Sequence, residues 1–154
     1  MDRTYPTVAQ NVAFFVALLA TAFAFGAALA HALELPNKIG MTRDDYFTVQ
    51  RIYTGWSQIA YVLAVELVAL LVLIALYWHV AGVRWAVSIA LAGLISAQIL
   101  FWVYTFPANQ VTRNWTVPTE NWEALRTHWE YSHLAGAACQ LLALVALTVA
   151  VLRR

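Results

Sequence analysis

Charge is what this sequence has least of. Only 11% of its 154 residues are Asp, Glu, Lys or Arg, against about 25% in an ordinary soluble domain. The apolar share reaches 62% and the mean hydropathy is +0.66, so the chain is fitted to a lipid bilayer rather than to water. A formal net charge of +1 gives no basic surplus for neutralising phosphates, and no nucleic-acid partner is expected. Cysteine is all but missing: the single Cys139 excludes a disulfide within the chain. Low-complexity tracts, clear repeats and composition breaks are absent too, so residues 1–154 read as one domain.

What is present in quantity is long apolar runs. Four of them, at about residues 12–33, 57–77, 85–106 and 132–152, approach the roughly 20 residues needed to cross a hydrocarbon core. The first is too long for the apolar region of a signal peptide and is not followed by a small-residue cleavage site. Spanning segments must satisfy their own backbone hydrogen bonds, which predicts helices. The expected fold is therefore all-α: an integral-membrane four-helix bundle with both termini on the same side. Lipid is its expected partner, and pairing of copies into a homo-oligomer is compatible with its broad apolar surface.

The loops are unequal. Residues 78–84 form a short turn, whereas the connections at residues 35–56 and 107–131 are each about 20 residues or longer, and functional groups gather on long loops held by a rigid scaffold. The turn face carries Arg3, Arg84, Arg153 and Arg154 with only Asp2 as an acid. The opposite face mixes Lys38, Arg43, Arg51, Arg113 and Arg126 with Glu34, Asp44, Asp45, Glu120, Glu123 and Glu130. The Arg-Arg tail and the short Arg-bearing turn favour cytoplasmic termini in a plasma (inner) membrane.

The long-loop face also bears the chemistry. The first span ends in A-H-A-L-E-L-P, with His31 and Glu34 three apart; the fourth begins in W-E-Y-S-H, with Glu130 and His133 three apart. That spacing puts each pair on one helix face. Because the two spans run in opposite directions, each imidazole lies about 4.5 Å deeper than its carboxylate. If the spans are neighbours, two imidazoles and two carboxylates meet at one level. Such a set could ligate zinc or iron, as Glu-x-x-His pairs do in carboxylate-bridged bundles. His31 and His133 could serve as axial ligands of haem, or the set could move protons with no cofactor. A full di-metal complement would want acids from the other two spans, which supply only Glu66 and Gln98.

Further candidates surround this set. Glu66 falls near mid-bilayer, where a carboxyl is costly and turns inward; it is expected to bond to Gln98 or a tyrosine and to close the bottom of a substrate pocket. Tyr53, Arg113 and Trp129 are the other candidate pocket residues, while Arg126 and Asn109 are candidates to hold an oxyanion. The purely structural alternative is that Pro36 simply ends the first helix, that Glu130 pairs with Arg126, and that the aromatic residues form an interfacial belt.

Pro107-Ala108-Asn109, then Trp122-x-x-Leu125-Arg126, then Trp129 and His133 leading into the last span, resemble the pattern of a four-span integral-membrane family that includes the fungal anthrone oxygenases. The likeness covers the whole chain in layout and residues 107–133 in motif. It implies a four-helix bundle with its working face at the Asn109, Arg126 and Trp129 end, and oxidation of an aromatic substrate by dioxygen without an added cofactor. The His31–Pro36 and Gln50-Arg51-x-Tyr53 segments set this chain in a different branch. The expected function is thus a membrane-embedded oxidoreductase acting on a small apolar, aromatic substrate, with Glu130 or His133 as the base. The alternatives are a metal- or haem-binding protein without catalysis and a lipid or quinone binder.

Overall fold

Four helices are long and apolar enough to cross a membrane, and three of them outlast their apolar runs. The computed structural model describes residues 6–154; Asp2 and Arg3, counted above among the charges of the turn face, lie outside the described residues. The first helix, α1, runs Val8–Lys38, and after the short α2 (Arg43–Gln50) come two 3₁₀ turns, Arg51–Tyr53 and Trp56–Gln58. Helix α3 spans Ile59–Leu76, and α4, Ala81–Leu100, continues through a π-helical turn at Phe101–Thr105 into α5, Phe106–Val111. The last helix, α6, runs Trp122–Leu152. No strand occurs among the described residues, and the fold is the expected all-α bundle with a multi-pass integral-membrane character.

The first, third and fourth spans are longer than their apolar runs for local reasons. Thr7 opens α1 with a reciprocal cap: its hydroxyl accepts from the Gln10 N–H at 3.3 Å while the Gln10 side chain accepts from the Thr7 N–H at 2.8 Å. Pro36 does not stop the helix. Its missing N–H removes one bond, but the Ile39 N–H still closes on the Leu35 carbonyl at 2.9 Å, and the helix carries Lys38 one turn past Glu34. Pro107 likewise stands in the first turn of α5, where a proline is tolerated, so Asn109 is helical rather than in a loop. Helix α6 starts ten residues before the expected Ser132, which places Arg126, Trp129 and Glu130 on one continuous helix with His133. A helix of 31 residues is about 46 Å long and overshoots a core of about 30 Å.

Two cores divide the bundle. On the short-turn side Ala17, Leu70, Leu73, Val83, Val87, Ala90, Ala143 and Leu147 pack from all four long helices. The alanines among them let backbones approach closely, the usual device in lipid, where burial gives little advantage over hydrocarbon. On the long-loop side the core is aromatic: Tyr46, Phe47, Trp115 and Trp129, with Tyr53 and Trp122 at its edge. Trp115 is delivered there by three consecutive left-handed residues, Arg113 (φ 48°), Asn114 (φ 55°) and Trp115 (φ 60°). That backbone is costly for residues with a Cβ. It is held by the Asn114 N–H on the Asn109 carbonyl at 2.7 Å and the Trp115 N–H on the Thr112 hydroxyl at 3.0 Å.

Candidate functional site

Helices α1 and α6 lie side by side, as the mirror-ordered pairs require. His31 and His133 meet with ring centroids 4.3 Å apart. The carboxylates at the next level, Glu34 and Glu130, do not turn towards the imidazoles. They take Lys38 between them. Its Nζ lies 2.9 Å from Glu130 Oε1 and 3.8 Å from Glu34 Oε2, with Lys38 only 2% and Glu130 0% exposed.

An aromatic box encloses the ammonium. Nζ stands 4.5 Å from the Trp129 ring centroid, 4.7 Å from that of Tyr53 and 5.5 Å from that of Tyr46, distances at which the π faces attract a cation. The hydroxyls complete the charge balance. Tyr46 donates to Glu130 Oε1 at 2.9 Å and accepts from Gln50 Nε2 at 2.5 Å. Lys38 donates to the Tyr53 hydroxyl oxygen at 3.1 Å, and Tyr53 in turn donates to Glu34. Burial, and after it the charge of Glu130, pushes the Tyr46 hydroxyl far above the ordinary phenol range. Burial and then the hydrogen bond to Glu34 do the same for Tyr53. Both phenols are therefore fixed as donors.

The imidazoles sit beneath this box. His31 is buried, with Tyr53 at 4.5 Å and Trp56 and Trp129 each at 5.1 Å between ring centroids. His133 Nδ1 lies 2.8 Å from the Trp129 carbonyl. A carbonyl can only accept, so the proton sits on Nδ1 and Nε2 keeps its lone pair. Two buried acid–base atoms, His31 Nδ1 and Glu130 Oε2, have no hydrogen-bond partner among the described residues.

The other candidates fall out differently. Asn109 is not aimed at a ligand by its oxygen: Oδ1 accepts from the indole N–H of Trp129 at 3.0 Å and of Trp115 at 3.1 Å, which fixes one wall of the box. Arg126 does not pair with Glu130; it donates to the Met41 carbonyl at 2.7 Å and stacks 4.5 Å from the Trp122 ring centroid, clamping the segment before α2. Arg113 is exposed on its left-handed turn, outside the box. Glu66 is fully buried but elsewhere. It accepts from Thr21 at 2.9 Å and Gln140 at 3.4 Å, not from Gln98. Thr21 precedes His31 by ten residues, about 15 Å along α1.

The proposed ligand set for zinc or iron does not fit its own geometry. Among the described residues no three His, Cys, Asp or Glu side chains are placed to hold a metal ion, and the Lys38 ammonium occupies the position between the carboxylates. Nor does a haem fit between His31 and His133, because rings 4.3 Å apart at 54° are in contact and leave no room for a macrocycle. Lys38 and Tyr46 are residues of the cluster that the sequence did not single out. A signal for Lys38 was present, since 31, 34 and 38 mark one stripe of a helix that is allowed to continue through Pro36.

Fold and site together define a class: a four-helix membrane bundle with a buried lysine–carboxylate pair and an imidazole pair at one end. No family model matches the chain, and neither the curated proteins nor the solved structures include a match to it.

Proposed function

We propose that the cluster at the joined ends of α1 and α6 is the acid–base centre of a membrane-embedded oxidoreductase. Its substrate is a small apolar aromatic molecule with an acidic C–H next to a carbonyl, and dioxygen is the co-substrate. The observation that carries this reading is a buried ammonium, Lys38, that shares the Tyr53 and Trp129 rings with the imidazole of His31, itself in contact with His133.

In this reading His133 Nε2 removes the proton from the substrate's CH₂ group. Lys38 steadies the resulting enolate oxygen, since a fixed cation in a dry site favours the developing charge, and Tyr53 holds the ammonium in place. Glu130 keeps Lys38 ionised and in place. The electron-rich carbanion then gives its electrons to dioxygen. Overall two C–H bonds break, one oxygen atom becomes the new carbonyl, and the other leaves as water with both hydrogens. Asn109 and Arg126 are positioning residues, acting through Trp129 and through the Met41 segment. The resemblance of residues 107–133 to the anthrone oxygenases agrees with this chemistry. The short turn and tail with Arg84, Arg153 and Arg154 favour termini on the cytoplasmic side of a plasma membrane.

The test is dioxygen uptake by the purified protein in mild detergent with anthrone as the probe. Uptake above the detergent blank is expected, falling about 10²-fold or more in His133→Ala and in Lys38→Met, and unaffected by a chelator wash. Uptake equal to the blank, or equal in wild type and both variants, would sink the proposal.

A further inference from the structure

The bundle is tight on three sides and open on the fourth. Helices α3 and α4 part towards the long-loop end and leave a groove of about 480 Å³ facing the bilayer, within the range of small-molecule sites. Its walls include Leu63 and Leu67 on α3 and Gln98, Ile99, Trp102 and Val103 on the α4 side. Of the described residues that line it, nine carry apolar side chains and one, Gln98, an amide. We propose that this groove is the binding and entry slot for the substrate: a flat aromatic ketone or phenol that comes in sideways from the membrane and is oriented by Gln98. The assignment rests on the function proposed above.

Three observations select such an occupant over an acyl chain. An amide placed among hydrocarbon is costly unless it is hydrogen-bonded, and Glu66, the expected partner of Gln98, is bonded to Thr21 and Gln140 instead. An acyl chain has no group for the amide to bond, whereas a ring ketone or phenol has one. Second, Trp102 and Val103 belong to the π-helical turn Phe101–Thr105, a distortion that in helices is frequent at functional sites. It re-aims the wall of the groove at this depth. Third, the α3 wall of the slot leads towards the acid–base cluster. On the α3 side, Ala60 of the groove is one turn from Trp56, which packs on His31.

Photolabelling with benzophenone tests this without assuming any turnover. It is a flat aromatic ketone that on irradiation inserts into nearby C–H bonds, so labelled peptides gain the whole reagent's mass. On protein in lipid nanodiscs, adducts are expected to concentrate on Leu63, Leu67, Ile99 and Val103. Their yield should fall about fivefold in Gln98→Leu, the loss of one hydrogen bond, and also in the space-filling Leu67→Trp. Adducts spread evenly over lipid-facing side chains such as Phe15 and Leu142, or yields unchanged in both variants, would overturn the assignment and leave an ordinary lipid-covered surface. Melting curves show that the variants are folded. Anthrone uptake by the same variants keeps the two proposals apart: a higher KM at unchanged kcat is expected. A wild type without uptake would remove the oxidoreductase reading, while the labelling pattern still decides the groove.

Discussion

Lys38 Nζ and Glu130 Oε1 lie 2.9 Å apart at the junction of the first and last helices, and neither side chain reaches solvent. The pair joins residues 92 positions apart in sequence, so it records the docking of α1 on α6 directly. It is also the place where the bundle holds charge in a dry, aromatic setting.

Breaking that pair from one side leaves the other charge buried alone, which typically costs about 3–5 kcal/mol. Lys38→Met and Glu130→Leu are each expected to lower the thermal midpoint in detergent sharply. The double variant removes both charges and should recover most of the loss. A double variant no better than the worse single one would mean that the pair does not carry the coupling.

Much of this was readable beforehand, and the misses have physical causes. The i, i+3 spacing of His31 with Glu34 and of Glu130 with His133 puts each pair on one helix face at matching depth, because helical periodicity survives any change of depth; the adjacency of α1 and α6, only a condition in the sequence, is what the fold adds. What could not be read was the competition for the carboxylates. With Pro36 taken as a stop, Lys38 was only a loop charge; with the helix continued, its ammonium reaches both acids before any metal could. Glu66 turns inward as its depth implies, but the partner expected for it, Gln98 or a tyrosine, gives way to Thr21 and Gln140. The stripe that joins His133 to Gln140, seven residues apart on α6, pointed to the latter. Tyr46 was lost among interfacial aromatics because α2 has only eight residues, too few for a pattern to declare its buried face.

Glu66 offers a second prediction. Glu66→Gln keeps an acceptor for Thr21 and brings a donor towards Gln140, whose Oε1 has no partner among the described residues, so stability should change by less than about 1 kcal/mol. Glu66→Ala leaves both neighbours unpaired in the interior and should cost about 1–3 kcal/mol. Because Glu66 stands well below the imidazoles, Glu66→Gln should leave anthrone uptake unchanged. A collapse of uptake in a stable Glu66→Gln protein would place the carboxyl in the chemistry after all.

The two caged phenols set an alkaline limit. In the unfolded chain tyrosine titrates near pH 10, whereas Tyr46 and Tyr53 are held protonated well above that in the fold. Above about pH 10 the unfolded state therefore binds fewer protons than the native one, and stability falls as pH rises. Below about pH 9 these groups contribute no slope. Melting temperatures in detergent from pH 8 to 11 should show the downturn, and Tyr46→Phe should roughly halve its steepness. An unchanged slope in Tyr46→Phe would remove Tyr46 from the account.

The sharpest packing test lies in two glycines of opposite circumstance. Gly93 on α4 faces α6 so closely that an added Cβ would stand 2.8 Å from the Cys139 carbonyl oxygen and 3.2 Å from Ala143 Cβ. Both contacts are with rigid groups, so the helices must part, and Gly93→Ala is expected to cost about 1–3 kcal/mol. Gly136 on α6 has nothing within 4 Å of the same point. There the only change is the better helix propensity of alanine, worth up to about 1 kcal/mol, so Gly136→Ala should be neutral or stabilising. Thermal melts of the two variants side by side in one detergent read the difference. Equal midpoints would mean that α4 and α6 are not in the close contact that the rest of the bundle is built upon.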